Sequence, residues 1–395
     1  MKGLHRNSSW RLAGLALAGG AAATLLGGCG KVGGGSGETL GFAVVGWRTA
    51  VYETPYMDEC PEGLAQGNDE LWWKKVEPKE RARLTNDGTI EPVTASRRAM
   101  SALRGDNGED VCWHPTSVKD PPLRVVEGDT SYGLDLDGDA TGKGTPMSCP
   151  HVNFKSPDGR PGVDNQVYRI LGCTYGWRHH GYIEDNANGE RRDTSHGIIL
   201  IEVAGVDDRQ NDDSVEVTFY KKANGDTLPK DSKADILPHA TYRTDQTPRY
   251  GGKARGRIVN GVIETDPIDV TLPFYGNLTH LPLVMKGMRM QLPANTDERF
   301  TEGMIAGYQD LANFWDYIQR YEYLLVTGQF SCPGIYVAMH ELADGYPDPK
   351  SGECTALSAA FKIRVVPAFI EHGAEPSGQP KPVPTQLAAT AEVRR

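Results

Sequence analysis

Two neighbouring stretches, Gly197 to Ala204 (GIILIEVA) and Ser214 to Tyr220 (SVEVTFY), decide how this chain is read. Both are dense in β-branched and aromatic side chains, which suit a pleated, half-buried surface, and the acidic segment Gly205 to Asp213 between them reads as the loop of a strand pair. Working outward, ARGRIV and VIETD flank Asn260-Gly261. An Asn-Gly pair supplies the positive φ angles of a type I′ hairpin. Further strands are expected at Leu40–Thr49, Val167–Leu171, Ile268–Phe274, Leu283–Leu292 and Ala356–Val366. Short strands with turn chemistry of this kind predict a mainly β fold with helical additions (α+β), an antiparallel β-sandwich or jelly roll braced by disulfides.

Helices are expected near both ends of the body. Asp69–Leu84 (DELWWKKVEPKERARL) has acids in its first turn and a breaking proline at Pro78. Phe300, Met304, Tyr308, Leu311, Trp315 and Ile318 recur at helical spacing; Gly303 and Gly307 weaken the early turns, so the firm helix is expected from about Tyr308. A third helix runs from Pro333 to about Ala343, with proline near its start and Gly345 and Pro347 beyond its end.

The first 29 residues carry a different message. Lys2, Arg6 and Arg11 precede an apolar run, Leu12 to Leu26, too short and too rich in Gly and Ala for a good membrane span, and Leu26-Gly27-Gly28-Cys29 follows. This stretch resembles a bacterial lipoprotein signal. The resemblance implies cleavage before Cys29, acylation of Cys29 and attachment to a lipid bilayer. Gly30, where lipoproteins held at the inner membrane of Gram-negative bacteria usually carry Asp, implies the outer membrane. Three acyl chains make an effectively permanent anchor, because each buried methylene contributes roughly 0.8 kcal/mol. With GLDLDGD, PDGRPGVDNQ and GECTALS, the body also resembles surface lipoproteins of Gram-negative bacteria for which no activity is established, so no residue roles follow from it.

The expected organisation is a signal peptide at 1–28, lipidated Cys29 with a Gly-rich tether through 37, a mixed N-terminal region at 38–147, a β-sandwich body with C-terminal helices at 148–372, and a disordered Pro/Ala-rich tail at 373–395. The formal charge of the 395-residue chain is −10. It becomes −13 when the signal leaves, since Lys2, Arg6 and Arg11 go with it and no acid does. So acidic a surface excludes the basic footprint that nucleic acid requires.

Of seven cysteines, six remain if Cys29 is acylated. Cys60, Cys112, Cys149, Cys173, Cys332 and Cys354 show no C-x-x-C spacing, and an even set in an exported chain reads as three disulfides. Each sequential pair flanks one local unit, so Cys60–Cys112, Cys149–Cys173 and Cys332–Cys354 are the expected bridges.

Asp135-Leu-Asp-Gly-Asp-Ala-Thr-Gly142 is the best ligand-like pattern. Alternating hard oxygen donors around small residues suit Ca²⁺, and Asp135 or Asp137 with Asp139 and Thr141 are the expected ligands. Ser148 stands where an EF-hand loop has its bidentate Glu, so the pattern is incomplete, and a solvated acidic loop is the favoured reading of it. The cluster Asp207, Asp208, Asn211, Asp212 and Asp213 reads as a solvated hairpin loop, and Asp344, Asp348 and Glu353 as a comparable one. His340 and Asp344 are spaced one helical turn apart, but no third ligand is implied; His179-His180 sits in a polar loop. No nucleophile elbow, P-loop or dinucleotide fingerprint is present. The expectation is a non-enzymatic binding or structural module of the cell envelope whose partner is a polysaccharide or an envelope protein. The alternative is a lipid-anchored hydrolase of envelope or extracellular polymer, its catalytic residues unassigned.

Overall fold

The computed structural model describes residues 37–79, 82, 105, 107–179, 181–225, 228–232, 235–245, 247, 249–276, 279–320 and 328–373. The signal peptide, Cys29 and its tether up to residue 36, Leu84 and the tail beyond 373 lie outside them. Among the described residues there are eleven strands: β1 (Glu38–Thr49), β2 (Ile199–Val206), β3 (Asn211–Lys221), β4 (Ala240–Arg243), β5 (Gly252–Val259), β6 (Val262–Thr265), β7 (Ile268–Gly276), β8 (Thr279–Pro293), β9 (Thr301–Asp310), β10 (Gly345–Pro347) and β11 (Cys354–Glu371). Helices α1 (Asn68–Lys75), α2 (Gln166–Leu171), α3 (Ile183–Thr194), α4 (Leu311–Gln319) and α5 (Cys332–Glu341) complete the elements used below.

The expected sandwich or jelly roll is overturned. Neighbours run β1-β2-β3-β5-β6-β8-β9-β11, and β11 pairs back onto β1, Phe42 opposite Pro367 through Thr49 opposite Phe361. The result is a closed eight-stranded antiparallel barrel, with β4, β7 and β10 added outside the ring. Closure removes the edges that an open sheet would leave unpaired. It also explains why the sequence misled. Inward-facing alternation is the same in a sandwich and in a small barrel, and only the pairing of β1 with β11 separates them.

Alternate residues fill the interior: Leu40, Phe42 and Val44 of β1, Ile199, Ile201 and Val203 of β2, Val215, Val217 and Phe219 of β3, and Leu357, Ala359, Phe361, Ile363 and Val365 of β11. A register shift between Val44 and Gly46 rephases β1, so that Trp47 joins the same cluster. Helices α2 to α5 add Val167, Ile183, Phe314 and Ile335 to it and cover one mouth of the barrel. Because β1 is one stave of this ring, the boundary expected at 147/148 falls inside a single unit.

The Asn260-Gly261 hairpin between β5 and β6 forms as expected, with φ of 50° and 79°. Two other expectations change. Val167–Leu171 is helical, because Asn165 caps it by accepting the Tyr168 N–H. Met304 and Tyr308 belong to β9, and the helix begins only at Leu311. Gly303 and Gly307 are there for strand packing: a Cβ would lie 2.8 Å from Gln291 O at the first and 2.8 Å from Met288 Cα at the second. Of the expected front helix, α1 ends at Lys75, before Pro78. Among the described residues no helix is long and apolar enough to cross a membrane.

All six cysteines are bridged, but not sequentially. The pairs are Cys60–Cys173, Cys112–Cys332 and Cys149–Cys354, separated by 113, 220 and 205 residues. Local flanking was the wrong guide, because the long segments between strands return to the barrel and are pinned where they land.

Candidate functional site

Three places collect the polar and aromatic side chains that could carry a function. The first lies on the outer face of β9 and β11, where Ala50 and Leu136 pack on Ala306, Tyr308, Ala356 and Ala360. The acidic loop expected to hold Ca²⁺ sits here, but its donors divide. Asp139 is consumed by its own loop: Oδ1 accepts from Thr141 N and Oγ, and Oδ2 accepts from Lys143 N and Gly144 N. Such bonds define an Asx-type turn. Asp139 and Thr141 are thus tied to each other; Asp135 and Asp137 also accept within the loop, from Gly138 N and from Asp139 N and Ser148 Oγ, but they converge with Asp164, one oxygen of each lying within 4.8 Å of the others. Arg289 holds the loop on the barrel by donating to the carbonyls of Asp135 and Leu136 at 2.8 and 3.2 Å.

Asp164 is fully buried and shared with a second group. Its Oδ2 accepts the Leu136 N–H at 2.7 Å, and its Oδ1 lies 2.8 Å from His151 Nε2. His151 Nδ1 is 2.7 Å from Cys149 O. A carbonyl only accepts, so Nδ1 carries a hydrogen. With Asp164 ionised and also accepting, the ring is an imidazolium, although burial raises the pKa of Asp164 itself. Burial opposes that charge, but the bonds to Asp164 and Cys149 O outweigh it and raise the pKa to about 9. Asp344, also fully buried, accepts the Ser358 N–H at 2.7 Å, and burial pushes it up to about 7. Sequence reasoning missed His151 and Asp164; the only hint was the repetition of Asp and Asn in GVDNQ. His340 and Asp344 do not share a site, since His340 is exposed on α5 and Asp344 is buried beside β11.

The second place is the covered mouth of the barrel, ringed by Trp47, Trp177, Phe274, Phe314, Tyr317 and Phe361 with Glu184 and Arg191 in its wall. Its free volume is only ≈ 60 Å³. Ligand pockets run from about 300 to 1,000 Å³, so the mouth is packing rather than a receptor. Its buried charges still matter for stability. Glu184 Oε1 accepts the Thr49 N–H, and Arg191 donates to Asn188 Oδ1 and Tyr275 O. Burial raises Glu184 from 4.5 to about 7, against the bonds from Thr49 and the charge of Arg48. The folded state therefore binds the proton more tightly than the unfolded chain does. Stability from this group is greatest below about pH 4.5 and declines as pH rises toward 7, by about 3 kcal/mol in total. Glu184→Gln removes that decline. Urea unfolding at pH 4.5 and pH 8 should show the variant gaining on the wild type by about that amount; a difference that stays constant with pH would contradict the assignment.

The third place is an open cleft of ≈ 510 Å³ between α4, α5 and the start of β11. Trp315 and Tyr336 meet edge to face with centroids 4.9 Å apart, and Tyr336 meets His340 at 4.3 Å. Asp310, Asp348, Ser351, Glu353 and Thr355 line the rest. His340 Nδ1 donates to Tyr336 O, which fixes the ring. The loop of Asp348 is closed by its Oδ1, which accepts from Lys350 N and Ser351 N. In the remaining candidate, Asp212 accepts from Asp207 N and Ser214 N, so that acidic cluster is a self-capped hairpin loop. His179 N donates to Glu53, and His180 lies outside the described residues.

No family model, curated protein or solved structure matches this chain. Its function therefore rests on these sites.

Proposed function

We propose that this chain is a carbohydrate-binding module held to the outer membrane by acylated Cys29, with the cleft of Trp315, Tyr336 and His340 as its binding face. The observation that carries the reading is the make-up of that cleft. Trp315 and Tyr336 line it with partly buried aromatic rings of the kind that suit the C–H side of a sugar, while Asp348 and Glu353 offer acceptors and Ser351 a hydroxyl to its hydroxyls, Thr355 already donating to Tyr346 O. Its volume falls within the range of ligand pockets, unlike that of the barrel mouth. An acidic module suits a neutral or cationic glycan and disfavours anionic lipid as a direct ligand.

Soluble bacterial envelope polysaccharides in affinity gels, with the mature chain expressed in an oxidising compartment, provide the test. At least one polysaccharide should retard the wild type, and Trp315→Ala or Tyr336→Ala should weaken that binding about tenfold, about 1.4 kcal/mol. Trp113→Ala serves as a control, since Trp113 is exposed and does not line the cleft. Retardation equal in wild type and Trp315→Ala, or none with any polysaccharide, would reject the proposal.

A further inference from the structure

The buried group on β9 and β11 contains a side chain that its surroundings leave incomplete. Asp344 is inaccessible to solvent, and while its Oδ1 accepts the Ser358 N–H, its Oδ2 has no hydrogen-bond partner. A buried carboxylate oxygen without a partner is costly, the more so when charged. His151 and Asp164 each place a ligand atom within 4.8 Å of one on Asp344. The Tyr308 hydroxyl, buried in the same region, has no partner either.

We propose that His151, Asp164 and Asp344 form a site for one divalent transition-metal ion of the Zn²⁺ class. The geometry of His151 carries this furthest. A metal-ligating histidine almost always gives its second ring N–H to a carbonyl or carboxylate, which fixes the tautomer. Here Nδ1 donates to Cys149 O and Nε2 faces Asp164 Oδ1. Two ligand atoms each about 2.1 Å from an ion stand roughly 3.0 to 3.4 Å apart, so the observed 2.8 Å needs only a small opening. Neutral imidazole with two carboxylates supplies a net charge that a dication cancels, and the mixed nitrogen and oxygen set suits Zn²⁺ better than Ca²⁺, which takes six to eight oxygens.

The scaffold holds these ligands in advance. Cys149–Cys354 fastens the His151 segment to β11, Cys149 N donates to Asp344 O at 2.8 Å, Asp344 N donates to Ala356 O, and Asp164 N donates to Leu134 O. An ion at this point would clamp the 134–164 segment and the strand-leading residue Asp344 to the outside of the barrel. The ligand set is distinct from the Asp135, Asp137, Asp139 and Thr141 pattern that the sequence suggested, although Asp164 borders both.

Equilibrium dialysis of the disulfide-intact mature chain against ZnCl₂ or CaCl₂, followed by elemental analysis, tests the site. One Zn²⁺ per chain is expected, with affinity falling at least about 100-fold in Asp344→Asn and in His151→Gln and unchanged in Asp139→Ala. Failure to take up Zn²⁺, or full stoichiometry in both ligand variants, overturns the proposal. Uptake of Ca²⁺ alone, abolished by Asp137→Ala, overturns it too and moves the cation to the Asp135–Asp137–Asp164 group. If the ligand variants do not fold, the wild type decides the matter with CoCl₂: visible d–d bands of a nitrogen- and oxygen-bound ion together with a shift of the His151 ring resonances support the site, and their absence rejects it.

Discussion

Asn165→Ala is expected to destabilise the fold by about 4 kcal/mol, the cost of several buried polar groups losing partners at once. Asn165 is fully buried at the start of α2. Its Nδ2 donates to Ala50 O, Ser131 Oγ and Tyr132 O at 3.4, 3.1 and 2.9 Å. Its Oδ1 accepts from Tyr168 N, capping the helix, and from Ala360 N on β11, both at 3.2 Å. One amide thus joins the end of β1, the segment before the acidic loop, a helix and the closing strand. Truncation leaves Ala50 O, Tyr168 N and Ala360 N without their partner, whereas Tyr132 O keeps the Ser131 hydroxyl. Asn165→Asp keeps both acceptor bonds but cannot donate and adds charge beside Asp164, so it too should destabilise. Denaturant unfolding with the disulfides intact is the measurement, and a loss under about 1 kcal/mol for the alanine variant would show that water replaces the amide.

Replacing both Cys112 and Cys332 with alanine should cost about 3 to 5 kcal/mol. The bridge closes a loop of 220 residues, and the entropy taken from the unfolded chain grows with the logarithm of that length. Both sulfurs also lie in the main hydrophobic cluster, at 2% and 0% exposure, so their loss leaves a cavity beside Ile335 and Val111. The matching double substitution at Cys149 and Cys354 should cost less, since Cys149 is more exposed and its loss removes little packing. The order of the two losses is the discriminating result, read from guanidinium midpoints. If the Cys149–Cys354 variant proved the weaker, anchoring of the His151 segment would outweigh core packing.

Much of the candidate site was half legible. Asp135 and Asp137 stood out because alternating carboxylates around glycine are a local pattern. Asp139 and Thr141 shared the pattern and yet turned to cap their own loop, since nearby backbone N–H groups compete for the same oxygens. His151, Asp164 and Asp344 could not have been grouped from the chain alone. They come from a turn after a bridged cysteine, the approach to α2 and the run into β10, and only the outer face of β9 and β11 gathers them.

The sequence by itself determined the period-2 strands, the Asn260-Gly261 hairpin, the proline-started helix α5 and the bridging of six cysteines. These depend on φ preference, side-chain branching, capping and parity, all of which act over a few residues or on composition. Tertiary structure decided that the sheet closes, that Val167–Leu171 is helical, which cysteines meet and where the buried carboxylates converge. Closure joins residue 42 to residue 367, and its free energy comes from twist, register and the removal of two sheet edges, none of which leaves a mark on local alternation.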